Sequence, residues 1–346
     1  MLEICIFSAV FLLTYFGVGR FRAWTLKRGV LDLPNERSSH VQPTPRGGGF
    51  VLAVVTLSVY VGASFVDGYE VSIGFALGAL LVLIVSWLDD IYTISFAWRL
   101  AVHSVAAALV IYSCGHLTTI STPYGPDALN IGWIGTAITF CWIVWMINAY
   151  NFMDGIDGIA GLQAVTASIG WAFIGFGLNI PSVYVLGGAM LFASTAFLLH
   201  NWPPARIFMG DAGSAYLGFV FASIPFVAAA DNSKATQTLF IASIALLWPF
   251  VFDAVFTIVR RAVRGERVWQ AHREHLYQRL VRSGSSHRSV TLLYGGLSAA
   301  IAIPTTYSVI SGSQAAAVAA FAVVTASAVL IVLICWKRKC LIGCVE

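Results

Sequence analysis

Charged residues are scarce in this chain. Asp, Glu, Lys and Arg make up 10% of its 346 residues, whereas 58% are hydrophobic. Ordinary soluble domains carry about 25% charged residues, so this composition excludes a soluble globular domain and indicates an integral membrane protein. The net charge of +4 gives no indication of nucleic-acid binding, because the basic residues follow a membrane-orientation pattern instead.

Cysteine is also scarce, and two sequence signals are missing. The six cysteines are scattered or terminal, so they show neither a disulfide framework nor the paired spacing of metal ligands. The first apolar run lacks a basic segment before it and a small-residue cleavage site after it, so we interpret it as an anchor instead of a cleaved signal peptide.

Long apolar runs dominate the chain, and several approach the roughly 20 residues that a spanning helix requires. They predict an all-α integral membrane protein, a single polytopic domain over residues 1–346 with eleven transmembrane helices. The predicted spans are 2–19, 48–66, 71–88, 98–114, 129–147, 159–178, 182–199, 212–229, 236–257, 291–309 and 313–336.

The distribution of Lys and Arg predicts the orientation, because basic loops are retained in the cytoplasm. With an outside N-terminus and a cytoplasmic C-terminus, 19 of the 20 basic residues fall on the cytoplasmic side, and Lys234 is the exception. The predicted cytoplasmic loops are 20–47, 88–98, 148–158, 200–212 and 258–290.

Acidic residues recur at the cytoplasmic ends of three separate spans, in "WLDD", "NAYNFMDGIDG" and "FMGDAGS". Convergence of these ends would bring together Asp89, Asp90, Asp154, Asp157 and Asp211. Like charges at close range require compensation by a cation or by basic groups. Oxygen ligands without Cys or His favour Mg²⁺, with Mn²⁺ as an alternative, and Mg²⁺ usually takes further ligands from phosphates.

Glycines accompany the acidic motifs, and two interpretations of them remain open. Gly155, Gly158 and Gly161 recur every third residue, and Gly210 and Gly213 flank Asp211. Helix N-termini with small residues bind anions, but small residues at this spacing also permit close packing of membrane helices without any ligand.

Two further polar residues lie inside or beside spans. Asp253 falls within span nine, where an acid is a functional candidate, although we favour a structural pairing with Arg260 or Arg261. Arg99 is expected to anchor the start of span four at the membrane interface, close enough to "DD" to balance its charge.

Six motifs occur in order along residues 34 to about 280: "PNERSSHVQPTPRGGG", "WLDD", "NAYNFMDGIDGIAG", "RIFMGDAGSAYLGF", "PFVFDAVFTIVRR" and "AHREHLYQRL". Their order, spacing and membrane side resemble the polyprenyl-phosphate N-acetylhexosamine-1-phosphate transferases. These enzymes of the bacterial cytoplasmic membrane start O-antigen, enterobacterial common antigen and peptidoglycan lipid intermediates. "PTPRGGG" and the "HREH" loop are closer to the O-antigen-initiating subgroup.

The resemblance implies an Mg²⁺-dependent enzyme with its active site facing the cytoplasm. It would transfer a sugar 1-phosphate from a UDP-N-acetylhexosamine to undecaprenyl phosphate and release UMP. Partners are thus the nucleotide sugar, the lipid phosphate and the bilayer. The resemblance does not identify the sugar. It also leaves open whether the protein forms a homo-oligomer and whether the reaction is a direct displacement or passes through a covalent intermediate.

The resemblance also implies roles for individual residues. Asp211 and Asn151 match metal-site positions, and Asp157, Phe208 and Asn148 match nucleotide-binding positions, with Phe208 stacking on the uracil. The catalytic candidates are Asp89, Asp90 and Asp154.

The basic loop and the glycine-rich segment supply the candidates for phosphate or sugar binding. These are His272, Arg273, His275 and Arg46. His272 and His275 are three residues apart and can share a helical face, and Arg273 can fork onto phosphate oxygens. Glu274 occupies a position that is His in many relatives. A zinc site and a loop that only enforces topology are the other interpretations.

An ion-coupled transporter is the alternative function, because intramembrane carboxylates and glycine-broken helices also occur in transporters. The acidic motifs lie at one membrane face instead of the midplane, and the two halves of the chain show no similarity. Both observations favour the transferase.

Overall fold

The computed structural model describes residues 2–32, 43–121, 129–230, 236–267 and 273–337. His272 and the segment "PNERSSHVQ" lie outside the described residues. Within them the chain is almost entirely helical, with ten helices long and apolar enough to cross a membrane and a bent pair that makes an eleventh candidate span. The protein is therefore an all-α, multi-pass membrane protein, as predicted.

The helices follow the predicted spans in order. They are α1 Leu2–Arg28, α2 Gly49–Asp67, α3 Ile73–Tyr92, α4 Phe96–Cys114, α5 Gly132–Met153, α6 Ile159–Gly177, α7 Pro181–Asn201, α8 Asp211–Ala229, α9 Thr236–Leu246, α10 Trp248–Val263, α11 Leu276–Arg282, α12 His287–Ser311 and α13 Gln314–Lys337. Two short antiparallel ladders join β1 Leu31–Asp32 to β2 Thr44–Pro45, and β3 Thr119–Ile120 to β4 Leu129–Asn130.

Four helices, α1, α3, α5 and α10, run four or more residues past the C-terminal ends of their predicted spans, and α10 ends at Val263. α1 continues to Arg28, and Lys27 and Arg28 lie in its last turn. Their positive charges stabilise the negative end of the helix dipole. α3 continues to Tyr92, so Asp89 and Asp90 lie inside its last turn, and α5 continues to Met153. Asp89 and Asp90 in α3 and Asn151 in α5 are therefore held by helical backbone, whereas Asp154 and Asp157 follow the end of α5.

α8 is the central helix of the bundle. Every residue from Ala212 to Ala229 is buried, and α8 packs against α5, α3, α9 and α2. Small residues permit this burial, because a Cβ on Gly218 would lie 2.7 Å from the carbonyl oxygen of Met146 in α5. Small residues at interfaces let membrane helices approach closely, so the glycine spacing in this helix serves packing.

The segment before α2 pairs with the segment before α8. The backbone N–H groups of Gly48 and Gly49 donate to the carbonyls of Phe208 and Met209, at 3.0 and 2.9 Å. At the same place a Cβ on Gly49 would lie 2.4 Å from the Cα of Gly213. The "RGGG" sequence thus brings the start of α2 into backbone contact with the start of α8.

The predicted span nine is wrong as one continuous helix, since α9 and α10 meet at an angle of 77°. Pro249 in the first turn of α10 has no N–H to donate, and its ring blocks a continuous helix. The carbonyl of Leu246 accepts from Nε2 of Gln163 in α6 at 2.8 Å, and Oγ of Ser298 donates to Oε1 of Gln163 at 2.6 Å. Buried side chains therefore satisfy the backbone at the break.

Substitution of Gly213 tests the close approach of α2 and α8. In Gly213→Ala the new Cβ would lie 2.6 Å from the Cα of Gly49, so backbone has to shift, and overpacking of this kind costs about 1–3 kcal/mol. We expect a lower thermal unfolding midpoint in detergent. Gly62 in α2 is the matched control, because a Cβ there meets nothing within 4 Å. An unfolding midpoint for Gly213→Ala equal to that of Gly62→Ala would contradict the packing.

Candidate active site

Asp90 joins the end of α3 to the start of α8. Its Oδ1 accepts from the backbone N–H of Asp211 and its Oδ2 from that of Ala212, both at 3.1 Å, and its side chain is fully buried. These N–H groups have no partner within α8 because they lie in its first turn, and a carboxylate there also complements the helix dipole. Nη2 of Arg46 lies 3.5 Å from Oδ1 of Asp90. The sequence assigned Asp90 to catalysis, and its placement favours a positioning role.

Arg99 lies between two carboxylates. Its Nη1 forms an ion pair with Oδ2 of Asp89 and another, at 3.2 Å, with Oδ2 of Asp211. The backbone N–H of Ile94 donates to Oδ1 of Asp89 at 2.6 Å. The Asp89 side chain is 9% exposed, and that of Asp211 is 31% exposed. Arg99 therefore balances the charge of the aspartates, as the sequence indicated, and Asp211 retains access to solvent.

Asn151 in the last turn of α5 contacts the same aspartate. Its Nδ2 donates to Oδ2 of Asp211 at 3.2 Å, and its Oδ1 accepts from Oγ of Ser214 at 2.6 Å. Because Ser214 lies one turn after Asp211, α8 orients both ends of the Asn151 amide. The two residues predicted for the metal site thus lie side by side.

Asp154, the first residue after α5, completes what we call the acidic cluster, which consists of Asp89, Asp90, Asp154 and Asp211. Burial, together with the neighbouring carboxylates of Asp211, Asp157 and Asp90, raises the pKa of Asp154 to about 8. A carboxyl with this pKa is protonated at neutral pH unless a cation joins it.

Asp157 lies in the hinge, by which we mean residues 154–158 between α5 and α6. Its Oδ2 accepts from the backbone N–H of Ala205 at 3.1 Å and lies 3.4 Å from Nδ1 of His287. Its backbone carbonyl accepts from Oγ1 of Thr291 at 2.8 Å. Asp157 therefore ties the hinge to the segment before α8 and to α12.

The other nucleotide-binding candidates lie nearby. Phe208 is in the segment that follows Ala205, is partly exposed, and its N–H donates to the carbonyl of Pro45 at 2.8 Å. Asn148 lies one turn before Asn151, and its Nδ2 donates to the carbonyl of Val144 at 2.7 Å. The fold therefore places Phe208 and Asp157 on segments that contact each other and leaves Asn148 in α5.

The hinge glycines have structural explanations. Gly158 has φ +78°, which favours glycine, and its N–H donates to Oδ1 of Asn201 at 2.9 Å. A Cβ on Gly155 would lie 2.1 Å from the hydroxyl of Tyr277. Of the two interpretations, helix and loop packing accounts for these two positions.

The basic loop differs from the expectation. His275 is only 4% exposed, and its Nδ1 lies 3.2 Å from Oδ1 of Asp253, so its placement favours anchoring α11 over binding phosphate. Arg273 is partly exposed just before α11. Glu274 forms ion pairs with Arg260 at 2.5 Å, Arg279 at 3.8 Å and Arg264 at 3.9 Å.

Asp253 has a structural role, as expected, but the predicted partners are wrong. It accepts from the N–H groups of Leu276 and Tyr277 at 2.8 and 3.0 Å and from the Tyr294 hydroxyl at 2.6 Å. Arg260 and Arg261 pair instead with Glu274 and Glu266. Asp253 therefore caps α11 from the preceding helix, α10.

The donors around Asp211 fit one kind of metal ion. No three His, Cys, Asp or Glu side chains of the described residues gather as a preformed metal cage. The partly exposed Asp211 offers carboxylate oxygens. Asn151 would add its amide oxygen in place of the bond that this oxygen makes to Ser214. Oxygen ligands of this kind suit Mg²⁺ or Mn²⁺ with water and substrate phosphate as the other ligands. The crowding that raises the pKa of Asp154 is the condition that such a cation relieves.

Two contributors to the site lacked a recognised role in the sequence. Ser214 is visible only as the fourth residue of "DAGS", where helical spacing puts it above Asp211. Tyr277 lies in the "AHREHLYQRL" motif, where only the His and Arg residues are predicted to have a role. Its hydroxyl donates to the carbonyl of Phe152 in α5 at 2.9 Å, a contact that no sequence signal indicates.

Comparison with known proteins agrees with this architecture. The Glycosyl transferase family 4 model matches residues 72–229. A Haemophilus influenzae undecaprenyl-phosphate alpha-N-acetylglucosaminyl 1-phosphate transferase is 32% identical over 285 residues, covering 79% of this chain and 78% of the relative. A probable undecaprenyl-phosphate N-acetylglucosaminyl 1-phosphate transferase of Bacillus subtilis is 28% identical over 276 residues, covering 78% and 75%.

A decaprenyl-phosphate N-acetylglucosaminephosphotransferase of Mycolicibacterium smegmatis is 29% identical over 320 residues, covering 82% of this chain and 76% of the relative. With the membrane fold and the acidic cluster, these matches place the chain among the membrane-bound phosphotransferases. It belongs to the family of polyprenyl-phosphate N-acetylhexosamine-1-phosphate transferases.

The pH dependence of stability tests the electrostatics of Asp154. Its pKa is raised from 3.8 to about 8, so within this window the folded chain binds the proton more tightly than the unfolded chain, and stability falls as pH rises. We expect Asp154→Asn, measured in EDTA, to lack this pH-dependent contribution to stability. The thermal midpoint of the variant should therefore rise relative to that of the wild type as the pH increases from about 4 to about 8. Asp67→Asn, at an exposed position, is the control. A pH-independent difference for Asp154→Asn would contradict the assignment.

Proposed function

We propose that this protein transfers an N-acetylhexosamine 1-phosphate from a UDP-sugar to undecaprenyl phosphate, releases UMP, and starts O-antigen or related cell-surface polysaccharide synthesis. The observation that carries the proposal is that Arg99 joins Asp89 to Asp211 and that Asn151 contacts the same Asp211, so that the ends of three helices converge. The names of the relatives quoted above support a polyprenyl-phosphate acceptor and an N-acetylglucosamine-type sugar.

In the proposed reaction a phosphate oxygen of the lipid attacks the phosphorus on the sugar side of the UDP-sugar. A new P–O bond forms as the bond to the UMP phosphate breaks, and UMP leaves with the bond electrons. The second ionisation of a phosphate monoester lies near pH 6, so the acceptor is already a competent nucleophile. Direct displacement therefore needs no strong base, and positioning and charge neutralisation are the main requirements.

Four residues of the site have a proposed part in this reaction. Asp211 and Asn151 would hold Mg²⁺, which supplies positive charge to the diphosphate oxygens. Arg99 is partly exposed and adjacent to Asp211, so it can contact a phosphate oxygen. Asp89, ion-paired with Arg99, would orient that guanidinium and the attacking phosphate.

The nucleotide would bind beside the hinge. Phe208 would stack on the uracil and Asp157 would accept a hydrogen bond from it, with Asn148 in support. Base–aromatic stacking is worth about 1–3 kcal/mol. The contact between Asp157 and Ala205 supports a shared binding surface for these two segments.

We propose that the protein lies in the bacterial inner membrane and that the acidic cluster is on its cytoplasmic side. The excess of Lys and Arg in the loops on that side supports this orientation. Nucleotide sugars are made in the cytoplasm, so topology and substrate supply agree. The position of the carboxylates at helix ends, instead of midway along the helices, supports transfer over ion-coupled transport.

Release of UMP tests the proposed function. Purified protein with Mg²⁺, undecaprenyl phosphate and a panel of UDP-N-acetylhexosamines should release UMP with at least one sugar. Asp211→Asn should lower the rate by about 100-fold or more, in line with loss of a group that stabilises transition-state charge. Asp67→Asn makes the same chemical change on an exposed residue and should keep activity. UMP release by Asp211→Asn at the Asp67→Asn rate, or full turnover in excess EDTA, would contradict the proposal.

A further inference from the structure

We infer that Tyr277 is a positioning residue for the reaction: its hydroxyl holds the end of α5, and thereby Asn151, in place beside Asp211. The contact itself rests on the geometry alone. Its effect on catalysis rests on the proposed function. It gives the "HREH" loop a role that differs from binding substrate directly.

The contact joins α11 to the last turn of α5. The Tyr277 hydroxyl donates to the carbonyl oxygen of Phe152 at 2.9 Å, and the Tyr277 side chain is fully buried. Burial raises the pKa of Tyr277 well above its usual value, so the hydroxyl keeps its proton and remains a donor. Gly155 leaves room for the ring, since a Cβ there would lie 2.1 Å from the hydroxyl oxygen.

The carbonyl of Phe152 needs such a partner. It belongs to the last four carbonyls of α5, which have no N–H of the same helix to accept from. Phe152 directly follows Asn151, whose Nδ2 lies 3.2 Å from Oδ2 of Asp211. A shift of this last turn therefore moves Asn151 relative to Asp211.

Tyr277 is itself firmly placed. α11 has only seven residues and would not be stable alone, but Asp253 accepts hydrogen bonds from its N–H groups at Leu276 and Tyr277. Tyr294, His275 and Thr257 also bond to Asp253, at 2.6, 3.2 and 3.2 Å. Buried hydrogen bonds thus link Asp253 in α10 to the backbone of Tyr277, and the Tyr277 hydroxyl to the carbonyl of Phe152 beside Asn151.

The obvious variant is Tyr277→Phe, which removes the hydroxyl and keeps the ring. Tyr60→Phe is the matched control, because Tyr60 is equally buried and its hydroxyl accepts from the N–H of Ser72 at 3.3 Å, on the segment between α2 and α3. Gly155→Ala is a second variant, since its Cβ should displace the Tyr277 hydroxyl from the other side.

Two readouts on the full chain in detergent separate positioning from general stability. Hydrogen exchange followed by mass spectrometry should show faster exchange of the hinge peptide in Tyr277→Phe and Gly155→Ala and wild-type exchange there in Tyr60→Phe. In UMP release, kcat should fall about tenfold in both variants, near the loss expected for one hydrogen bond, with KM for the UDP-sugar within about twofold. Because both changes break the same contact, the double variant should be no slower than Gly155→Ala.

The outcomes are distinct. Wild-type hinge exchange in Tyr277→Phe overturns the contact, and faster exchange with an unchanged kcat overturns the positioning role. Equal loss of kcat in Tyr60→Phe assigns the effect to stability and also overturns it. If wild-type protein releases no UMP with any sugar, the proposed function fails and the catalytic role of Tyr277 fails with it, while hinge exchange still decides the contact with Phe152.

Discussion

The buried carboxylate of Asp90 is the constraint on which the site depends. Its two oxygens accept from the first two N–H groups of α8, so the end of α3 and the start of the central helix have a fixed relation. Gly210, with φ +77°, is required at this point because a Cβ would lie 2.7 Å from Oδ2 of Asp90. A buried charge is tolerated only when it is paired and hydrogen-bonded. Here two amides, the helix dipole and Arg46 offset part of the cost of that burial. The same bonds place Asp211 beside Asn151 and Arg99.

The same packing leaves the acidic cluster with more negative than positive charge. Arg99 serves both Asp89 and Asp211, while Arg46 is held at Asp90, and Asp154 responds with a raised pKa. An active site of this kind stores an electrostatic cost that a divalent cation and the cationic side chains can offset together. Binding of a diphosphate and binding of the cation are then expected to favour each other. The cation offsets the repulsion between the carboxylates and the diphosphate, and the diphosphate supplies the cation with further oxygen ligands.

Much of this arrangement is readable from the sequence, and the reasons are physical. Apolar length predicted the spans, and acidic residues that recur at one end of three spans predicted the convergence of Asp89, Asp154 and Asp211. Both signals are local or depend only on which side of the membrane a residue occupies. The functional roles given to those residues remain predictions.

Other features depend on contacts that no local pattern encodes. The 77° bend could not be predicted from hydropathy. Residues 236–257 are apolar on both sides of Pro249, and hydropathy carries no information about the angle between two helices. Asp253 was expected to pair with a neighbouring arginine, but its partners in α11 and α12 are at least 22 residues away. The sequence predicts His275 as a candidate for phosphate or sugar binding, whereas the contact that reaches α5 comes from Tyr277, whose hydroxyl has no sequence signature.

The central claim is that Asp211, placed by Asp90 and flanked by Asn151, forms a site for a divalent cation. Electron paramagnetic resonance of Mn²⁺ titrated into the detergent-purified full chain, with and without UDP, measures this directly. The account predicts saturable Mn²⁺ binding by the wild type that strengthens with UDP, persists in Asp67→Asn and is lost in Asp211→Asn. Mn²⁺ binding by Asp211→Asn with wild-type affinity would contradict it.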